Sequence, residues 1–162
     1  MNQEPVLSRA AVVALYTRLI EAWNRRDAAG YAAQFAGQGS TVGFDGSQMD
    51  GRAAIATELG RIFRDHTPAT YVARVREVHT VAPGVVLLRA VAGMLPPKES
   101  AIKPELNTIQ SLLAVAEGGS ARVVHFQNTP ARFHGRPELV QRLTAELQSI
   151  ATAGRVVDAV LK

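Results

Sequence analysis

Apolar residues recur at helical spacing along the first part of the chain. Ser8 stands where a helix cap is needed, and the apolar stripe that follows it ends at Trp23. Asp27 is placed to cap a second helix, in which Tyr31 and Phe35 lie one turn apart on the same face. The pattern therefore predicts two helices that follow each other directly.

The pattern changes after the second helix. Residues 40–44 predict a short strand, Asp45-Gly46 predicts a turn, and Asp50 is placed to cap a third helix. From Tyr71 onward β-branched residues dominate, and the period changes from helical to strand-like. The predicted strands cover residues 71–81, 85–95, 105–116 and 121–129.

The pattern of the C-terminal part is typical of one more helix. Pro137 suits the first turn, leucines recur at every fourth position to Leu147, and Gly154 can end the helix. We expect one domain over residues 8–154, with this helix at about 137–153 and tails at 1–7 and 155–162.

Helices followed by long antiparallel strands define the α+β class. The strand over residues 85–95 is apolar on both faces except at Arg89. Since an apolar outer face of an antiparallel sheet needs a cover, a helix or a second subunit must pack on it. We expect a homodimer joined through the sheet.

The amino-acid composition limits the kinds of functional site that the protein can contain. The chain has 162 residues, 47% of them hydrophobic, and no cysteine, which excludes disulfides and thiolate chemistry. The four histidines show no paired ligand spacing, so we expect no metal site. The net charge is +4, but the basic residues are scattered, so we expect no nucleic-acid partner. With neither a signal-like start nor an apolar run long enough for a membrane span, we expect a cytoplasmic protein without membrane association.

The order of elements resembles that of the nuclear-transport-factor-2-like superfamily. The residues that carry this resemblance are Trp23 to Asp27, Phe35, and Asp50-Gly51-Arg52 leading to Ile55. The resemblance implies a cone: a strongly curved antiparallel sheet packed on the N-terminal helices, with a pocket open at one end and the C-terminal helix added outside.

Motifs in the second half of the chain narrow the resemblance. Residues 106–112 (LNTIQSL) and 126–130 (FQNTP) look like the paired strand motifs of the SgcJ/EcaC subfamily, in the SnoaL-like branch of the superfamily. The stretch 133–138 (FHGRPE) and the helix after it are similar to an extension found in some members. This resemblance implies a cofactor-free pocket for a hydrophobic, oxygen-bearing natural-product intermediate, polyketide-like and in some pathways enediyne-related. The protein would assist cyclisation, shaping or transfer of that ligand.

Two residues are candidates for acid/base chemistry, which defines a rival reading as a cofactor-free cyclase or isomerase. The resemblance implies that ketosteroid isomerases of this superfamily have their catalytic base at the position that corresponds to Gly43. Asp45 is the carboxylate closest to that position, although it can equally form the turn with Gly46. His125 lies on the last strand, and histidine ordinarily titrates near neutral pH. Strict alternation puts His125 with Val123 and Gln127 on one face, and the sequence leaves open which face is inward.

Aromatic and amide side chains supply the expected pocket lining. Amides orient carbonyls and hydroxyls but take no protons at neutral pH, which favours binding over acid/base catalysis. The loop over residues 96–104 either closes the pocket as a lid or is a surface connection. For the protein as a whole, a third possible function is that of a non-enzymatic accessory module that docks a biosynthetic enzyme. The expected ligand contacts are Tyr16, Trp23, Tyr31, Phe35, Phe44, Met49, Asn107, Gln110, Gln127 and Asn128.

Overall fold

The computed structural model describes residues 6–160. Three helices precede the long strands and a fourth follows them within this range. The helices are α1 (Arg9–Asn24), α2 (Ala28–Ala32), α3 (Arg52–Asp65) and α4 (Pro137–Thr152). None of the described helices is both long and apolar enough to cross a bilayer.

One curved, open sheet of seven strands packs against the helices. Its order is β2-β1-β6-β5-β4-β3-β7, and the four long strands in the middle are antiparallel. Toward the two edges of the sheet the pairing differs from that of the middle. Strand β1 runs parallel to β6, and β7 runs parallel to β3. The strands are β1 (Phe35–Val42), β2 (Gln48–Asp50), β3 (Thr70–Ala82), β4 (Val85–Leu95), β5 (Thr108–Glu117), β6 (Ser120–Pro130) and β7 (Val157–Ala159).

The main core lies between the inner face of the sheet and α1 to α3. Its largest fully buried side chains include Tyr16, Phe35 and Phe126. Helix α4 packs on the opposite, outer face, where Leu147 and Ile150 meet Val91 of β4 in a second apolar cluster. The predicted α+β cone with an added C-terminal helix is therefore confirmed.

The second helix is shorter than the sequence predicts. Helix α2 ends at Ala32, and Phe35 starts β1 instead of extending the helix. The backbone carbonyl of Gln34 accepts a hydrogen bond from the Val123 N–H, which begins the pairing of β1 with β6. A helix of five residues that contains Gly30 gains little from further turns, so the ladder with β6 determines where it ends.

The start of the third helix also differs from the prediction. Asp50 belongs to β2, where it pairs with Ser40 of β1, and it does not cap the helix. The cap is Gly51, whose φ of 94° lies in the left-handed region that glycine adopts without strain. Phe44 lies beyond the end of β1, in the turn before β2.

The predicted C-terminal tail contains a strand. Residues Val157–Ala159 form β7, and Asp158 is only 6% exposed. Its carboxylate accepts from Arg74 Nε at 3.0 Å and lies 2.9 Å from Arg155 Nη1. This paired, buried carboxylate holds the segment on the sheet, an arrangement that a three-residue pattern does not reveal. Of the predicted N-terminal tail, residues 1–5 lie outside the described part, and Leu7 is buried in the core.

Candidate functional site

A cavity of about 280 Å³ lies inside the cone, between α1 to α3 and the inner face of the sheet. Most of its wall is apolar, from Ile20, Trp23, Phe44, Met49, Leu59, Ile62, Met94 and Phe126. The polar contributors are Thr41, Tyr31, Tyr71 and Asn128, with Gly43, Asp45 and Ser47 in the turn after β1. This lining suits an apolar ligand that carries few polar groups.

Aromatic rings form one side of the cavity. Trp23 is the centre of this group, with ring centroids 6.0 Å from Tyr31, 5.2 Å from Phe63 and 5.6 Å from Tyr71. The indole Nε1–H donates to the Ala69 carbonyl at 3.0 Å, which fixes the ring against the start of β3. The only tryptophan of the chain therefore reports directly on this cavity.

The side chain of Asn24, at the end of α1, fixes the backbone of the cavity-lining residue Tyr71. Its side-chain amide donates to the Tyr71 carbonyl at 2.9 Å and accepts from the Tyr71 N–H at 2.8 Å. This pair of bonds satisfies both backbone groups of Tyr71 in the same way as a neighbouring strand. The end of α1 thereby sets the position of the Tyr71 side chain.

Two phenols face the cavity as neutral donors. Burial raises the pKa of Tyr31 well above its usual value, and the nearby Tyr71 adds to the shift while a hydrogen bond with Thr41 opposes it. Burial likewise raises the pKa of Tyr71. Both hydroxyls therefore keep their protons at neutral pH and can donate to a ligand oxygen.

A buried chain of hydrogen bonds connects α1 to the cavity. The Tyr16 hydroxyl donates to Gln110 Oε1, Gln110 Nε2 donates to Asn128 Oδ1 at 2.9 Å, and Asn128 Nδ2 donates to the Val42 carbonyl at 3.0 Å. Gln110 and Asn128 are direct partners in the ladder of β5 and β6. Of the three side chains, only Asn128 lines the cavity.

Asp45 lines the cavity at the turn that follows β1. Its Oδ1 accepts from the Ser47 N–H at 2.9 Å, and this bond holds the pKa of the carboxyl below its usual value. Gly46 has a φ of 89°, so the turn uses the conformational freedom of glycine. The exposed carboxylate is therefore ionised and engaged in the turn, which makes it a weak base.

His125 and Gln127 lie on the outer face of the sheet and not in the cavity. His125 pairs across the ladder with Leu113, its Nδ1 lies 2.8 Å from Ser40 Oγ, and its Nε2 lies 2.9 Å from Gln127 Oε1. The register of β5 and β6 shifts beside Val124. This bulge reverses the alternation, so His125 and Val123 face opposite sides, contrary to the sequence prediction.

Four further residues expected in the pocket lie elsewhere. Tyr16 and Phe35 are fully buried in the core. Asn107 is buried under α4, where its Nδ2 donates to Thr144 Oγ1 at 2.8 Å. Gln110 lies one hydrogen bond behind the cavity wall, so its contribution is indirect.

The cavity brings together six of the residues selected from the sequence and adds several that were missed. The selected residues in the lining are Trp23, Tyr31, Phe44, Asp45, Met49 and Asn128. Among the missed residues, Tyr71 and Met94 are ladder partners near the start of β3 and the end of β4. Alternation along the strands could have placed their side chains on the inner face of the sheet, but only once the strand register was known.

The loop over residues 96–104 does not line this cavity. Gln148 of α4 holds it, accepting from the Ile102 N–H at 2.8 Å and donating to the Ser100 carbonyl at 3.0 Å. The first part of the loop instead borders a separate groove of mixed polar and apolar lining, together with Asn24 and Arg26. Of the two alternatives that the sequence left open for this loop, the contacts with α4 and the absence of its residues from the cavity lining favour the surface connection.

Metal chemistry finds no support in the described part of the chain. No three or more His, Cys, Asp or Glu side chains come together there in a group that could hold a metal ion. What the cavity offers a ligand is apolar surface, phenol and amide groups.

No protein-family model and no curated protein sequence matches the chain. Solved structures do match it. A domain of unknown function with a cystatin-like fold from Nostoc punctiforme is 22% identical with a TM-score of 0.72, covering 89% of this chain and 91% of that one. A ketosteroid isomerase-like protein from Erwinia carotovora atroseptica is 14% identical with a TM-score of 0.60, covering 81% and 98%.

A third similar structure is an NTF-2 like protein of unknown function from Shewanella oneidensis. It is 13% identical with a TM-score of 0.58, and the match covers 74% of this chain and 97% of that one. At these identities the likeness establishes architecture and leaves activity open. The chain therefore has the cystatin-like, NTF2-like fold.

Proposed function

We propose that this protein binds a small, neutral, mainly apolar ligand with at least one oxygen function, and that it does so without a cofactor. The observation that carries the proposal is the cavity itself: about 280 Å³, lined by aromatic and aliphatic side chains with two phenols and one amide. The volume is just below the range of about 300 to 1,000 Å³ found for ligand pockets, so the cavity suits a small ligand of about the size of a bicyclic ring system.

The charge of the lining favours a neutral ligand. Among the described residues that line the cavity, none is Lys, Arg or His, and the carboxylate of Asp45 lies at the turn. A buried anion would lack a counter-ion, and its desolvation would cost several kcal/mol, on the order given by ion burial. A ketone or hydroxyl can instead accept hydrogen bonds from the phenols.

We further propose a polyketide-like natural-product intermediate as the ligand class. The support is the similarity of the strand motifs around Gln110 and Asn128 to the SgcJ/EcaC subfamily, together with the agreement of a neutral, ring-sized cavity with such a ligand. Binding and shaping of the ligand need no titrating group. This reading therefore fits a cavity whose one carboxylate has a lowered pKa.

Titration with decalone, a neutral bicyclic ketone, tests the proposal through the fluorescence of Trp23. We expect saturable binding in the micromolar range, and binding of decalin carboxylate that is at least about tenfold weaker, because the anion is buried without a partner. Met49→Lys places an ammonium group in the lining and should reverse this preference. Val160→Lys, at a 74% exposed position directly after β7 and outside the lining, is the matched control and should leave the preference unchanged.

The pH dependence separates binding from acid/base catalysis. Asp45 has a lowered pKa and stays charged, whereas Tyr31 and Tyr71 have raised pKa values and stay neutral. The affinity for decalone should therefore be constant from about pH 6 to about pH 9. No binding of decalone at any pH, or equal affinity for ketone and carboxylate, would refute the proposed ligand class.

We also propose a homodimer through the part of the outer face that α4 leaves uncovered. Leu87 and Leu113 are partly exposed there, and Val81 is 57% exposed. Glu77 and Arg89 form an ion pair of 2.9 Å on the same face. Such a patch is self-complementary about a twofold axis, because the acid of one copy can meet the base of the other.

Light scattering behind size-exclusion chromatography tests this arrangement. The wild-type protein should elute with twice the chain mass of 17.4 kDa, whereas Leu113→Arg should elute with the single mass, because it buries a charge at the patch. Leu139→Arg, on a partly exposed position of α4, is the control and should stay dimeric. A wild-type mass of 17.4 kDa at tens of micromolar contradicts the dimer.

A further inference from the structure

The hydrogen-bond chain behind the cavity has only one possible direction. The Val42 carbonyl can only accept, so the group of Asn128 that faces it is the NH₂ group. Asn128 Oδ1 then faces Gln110, which must present its own NH₂ group, and Gln110 Oε1 must in turn receive a hydrogen from Tyr16. The backbone acceptor at one end thus determines the orientation of both amides and of the phenol.

This direction decides what Tyr16 and Asn128 can offer a ligand. The single hydroxyl hydrogen of Tyr16 is used by Gln110, and the side chain is 0% exposed, so Tyr16 donates nothing to the cavity. Asn128 uses one of its two N–H groups on Val42 and retains the other. It is 7% exposed and lines the cavity, so that remaining N–H is available to a bound molecule.

A second free donor lies in the same lining. Within residues 6–160, no hydrogen bond joins the Tyr71 hydroxyl to another residue, whereas both backbone groups of Tyr71 are bonded to Asn24. Its raised pKa keeps the hydroxyl protonated. The unused hydrogens of Asn128 and Tyr71 suit a ligand group that accepts hydrogen bonds and has no hydrogen of its own to place, such as a carbonyl oxygen.

We propose that Asn128 is the polar anchor for a ketone-bearing ligand, and that Tyr16 and Gln110 are positioning residues that hold its amide in the donating orientation. This inference rests on the proposed binding function and assigns the specificity of that same cavity. It predicts a preference for decalone over both decalin, which has no oxygen, and decalol, whose hydroxyl hydrogen must find its own acceptor.

The preference is measured as the ratio of dissociation constants for decalin and decalone, followed by Trp23 fluorescence. The hydrogen bond from Asn128 should contribute a factor of about five to ten to the wild-type ratio. Asn128→Leu should lower the ratio by about this factor, and Tyr16→Phe should lower it in part, because the unpaired Gln110 can then turn and release Asn128. Thr108→Val is the matched control, since it removes another buried hydroxyl from β5, bonded to the Thr129 carbonyl at 3.0 Å, and should keep the wild-type ratio.

An NMR measurement on the wild-type protein makes the test independent of whether a variant folds. Addition of decalone should shift the side-chain ¹⁵N–¹H resonances of Asn128, and addition of decalin should not shift them. A wild-type ratio near one, an unchanged ratio in Asn128→Leu, or Asn128 resonances that decalone leaves in place overturns the anchor while ligand binding itself stands. Absence of binding by all three probes overturns the proposed function together with the anchor.

Discussion

Replacement of Gly39 by alanine is expected to destabilise the protein by about 2 kcal/mol or more, as overpacking of a tight site does. A Cβ at this buried position would lie 2.6 Å from the Val123 carbonyl oxygen and 3.0 Å from that of Ala36. Both contacts are with backbone atoms, and Val123 is held in β6, so neither oxygen can move away freely. The cause is lack of space, because no positive φ is found at Gly39.

Thermal unfolding of Gly39→Ala should show a midpoint about 4 to 8 °C below that of the wild type, as expected for about 2 kcal/mol in a domain of this size. Gly37→Ala is the matched control, since nothing lies within 4 Å of a Cβ at that position of the same strand. We expect the control to stay within about 0.5 kcal/mol of the wild type. Equal midpoints for the two variants would show that β1 can move away from β6 without loss.

Leu147→Ala is expected to be the most destabilising substitution in α4, at about 2 to 5 kcal/mol. Leu147 is 0% exposed and belongs to the apolar cluster that joins α4 to Val72 and Val91 on the outer face. Its Cδ1 would lie 3.0 Å from a Cβ on Gly93, so the absence of a side chain at Gly93 lets the leucine reach the sheet. Truncation leaves a void that a packed strand pair cannot fill.

Chemical denaturation measures this loss as a shift of the unfolding midpoint. The control is Leu139→Ala on the same helix, where the leucine is partly exposed and the loss should be smaller. Decalone affinity of folded Leu147→Ala should equal that of the wild type, because α4 and the cavity lie on opposite sides of the sheet. A midpoint at the wild-type value would show that α4 contributes little to stability, and a large loss of affinity would mean that the two faces are coupled.

Periodic elements were predictable from the sequence because their pattern is long. The last helix, predicted at about 137–153, is observed as Pro137–Thr152, and the four long strands lie close to the predicted ranges. Short elements escaped prediction, because three residues such as Val157–Ala159 contain no period. Their formation depends on partners distant in the chain, in this case the ladder with β3 and the ion pairs of Asp158.

The candidate site was predictable only in part. Trp23 of α1 and Tyr31 of α2 were identified because each belongs to the apolar face that helical spacing predicts for its own helix. Packing of the two helices then places their rings 6.0 Å apart. The role of His125 stayed open because the sequence does not show which face of the last strand is inward. The grouping of His125 with Val123 was wrong because the bulge at Val124 cannot be recognised from residue types. One inserted residue exchanges the two faces of everything that follows it in the strand.

The sequence by itself determined the α+β class, the helices α1, α3 and α4, and an amide-bearing pair of strands, because each depends on local periodicity or on residue type. Only the tertiary structure decided which amides share a hydrogen-bond chain and which residue of that chain meets the cavity. The register of β5 against β6 makes Gln110 and Asn128 ladder partners. Asn107, three positions before Gln110, instead points toward α4 and bonds to Thr144. The physical reason is that strand register and bulges are determined by packing between distant segments, and they decide the side of the sheet on which each side chain lies.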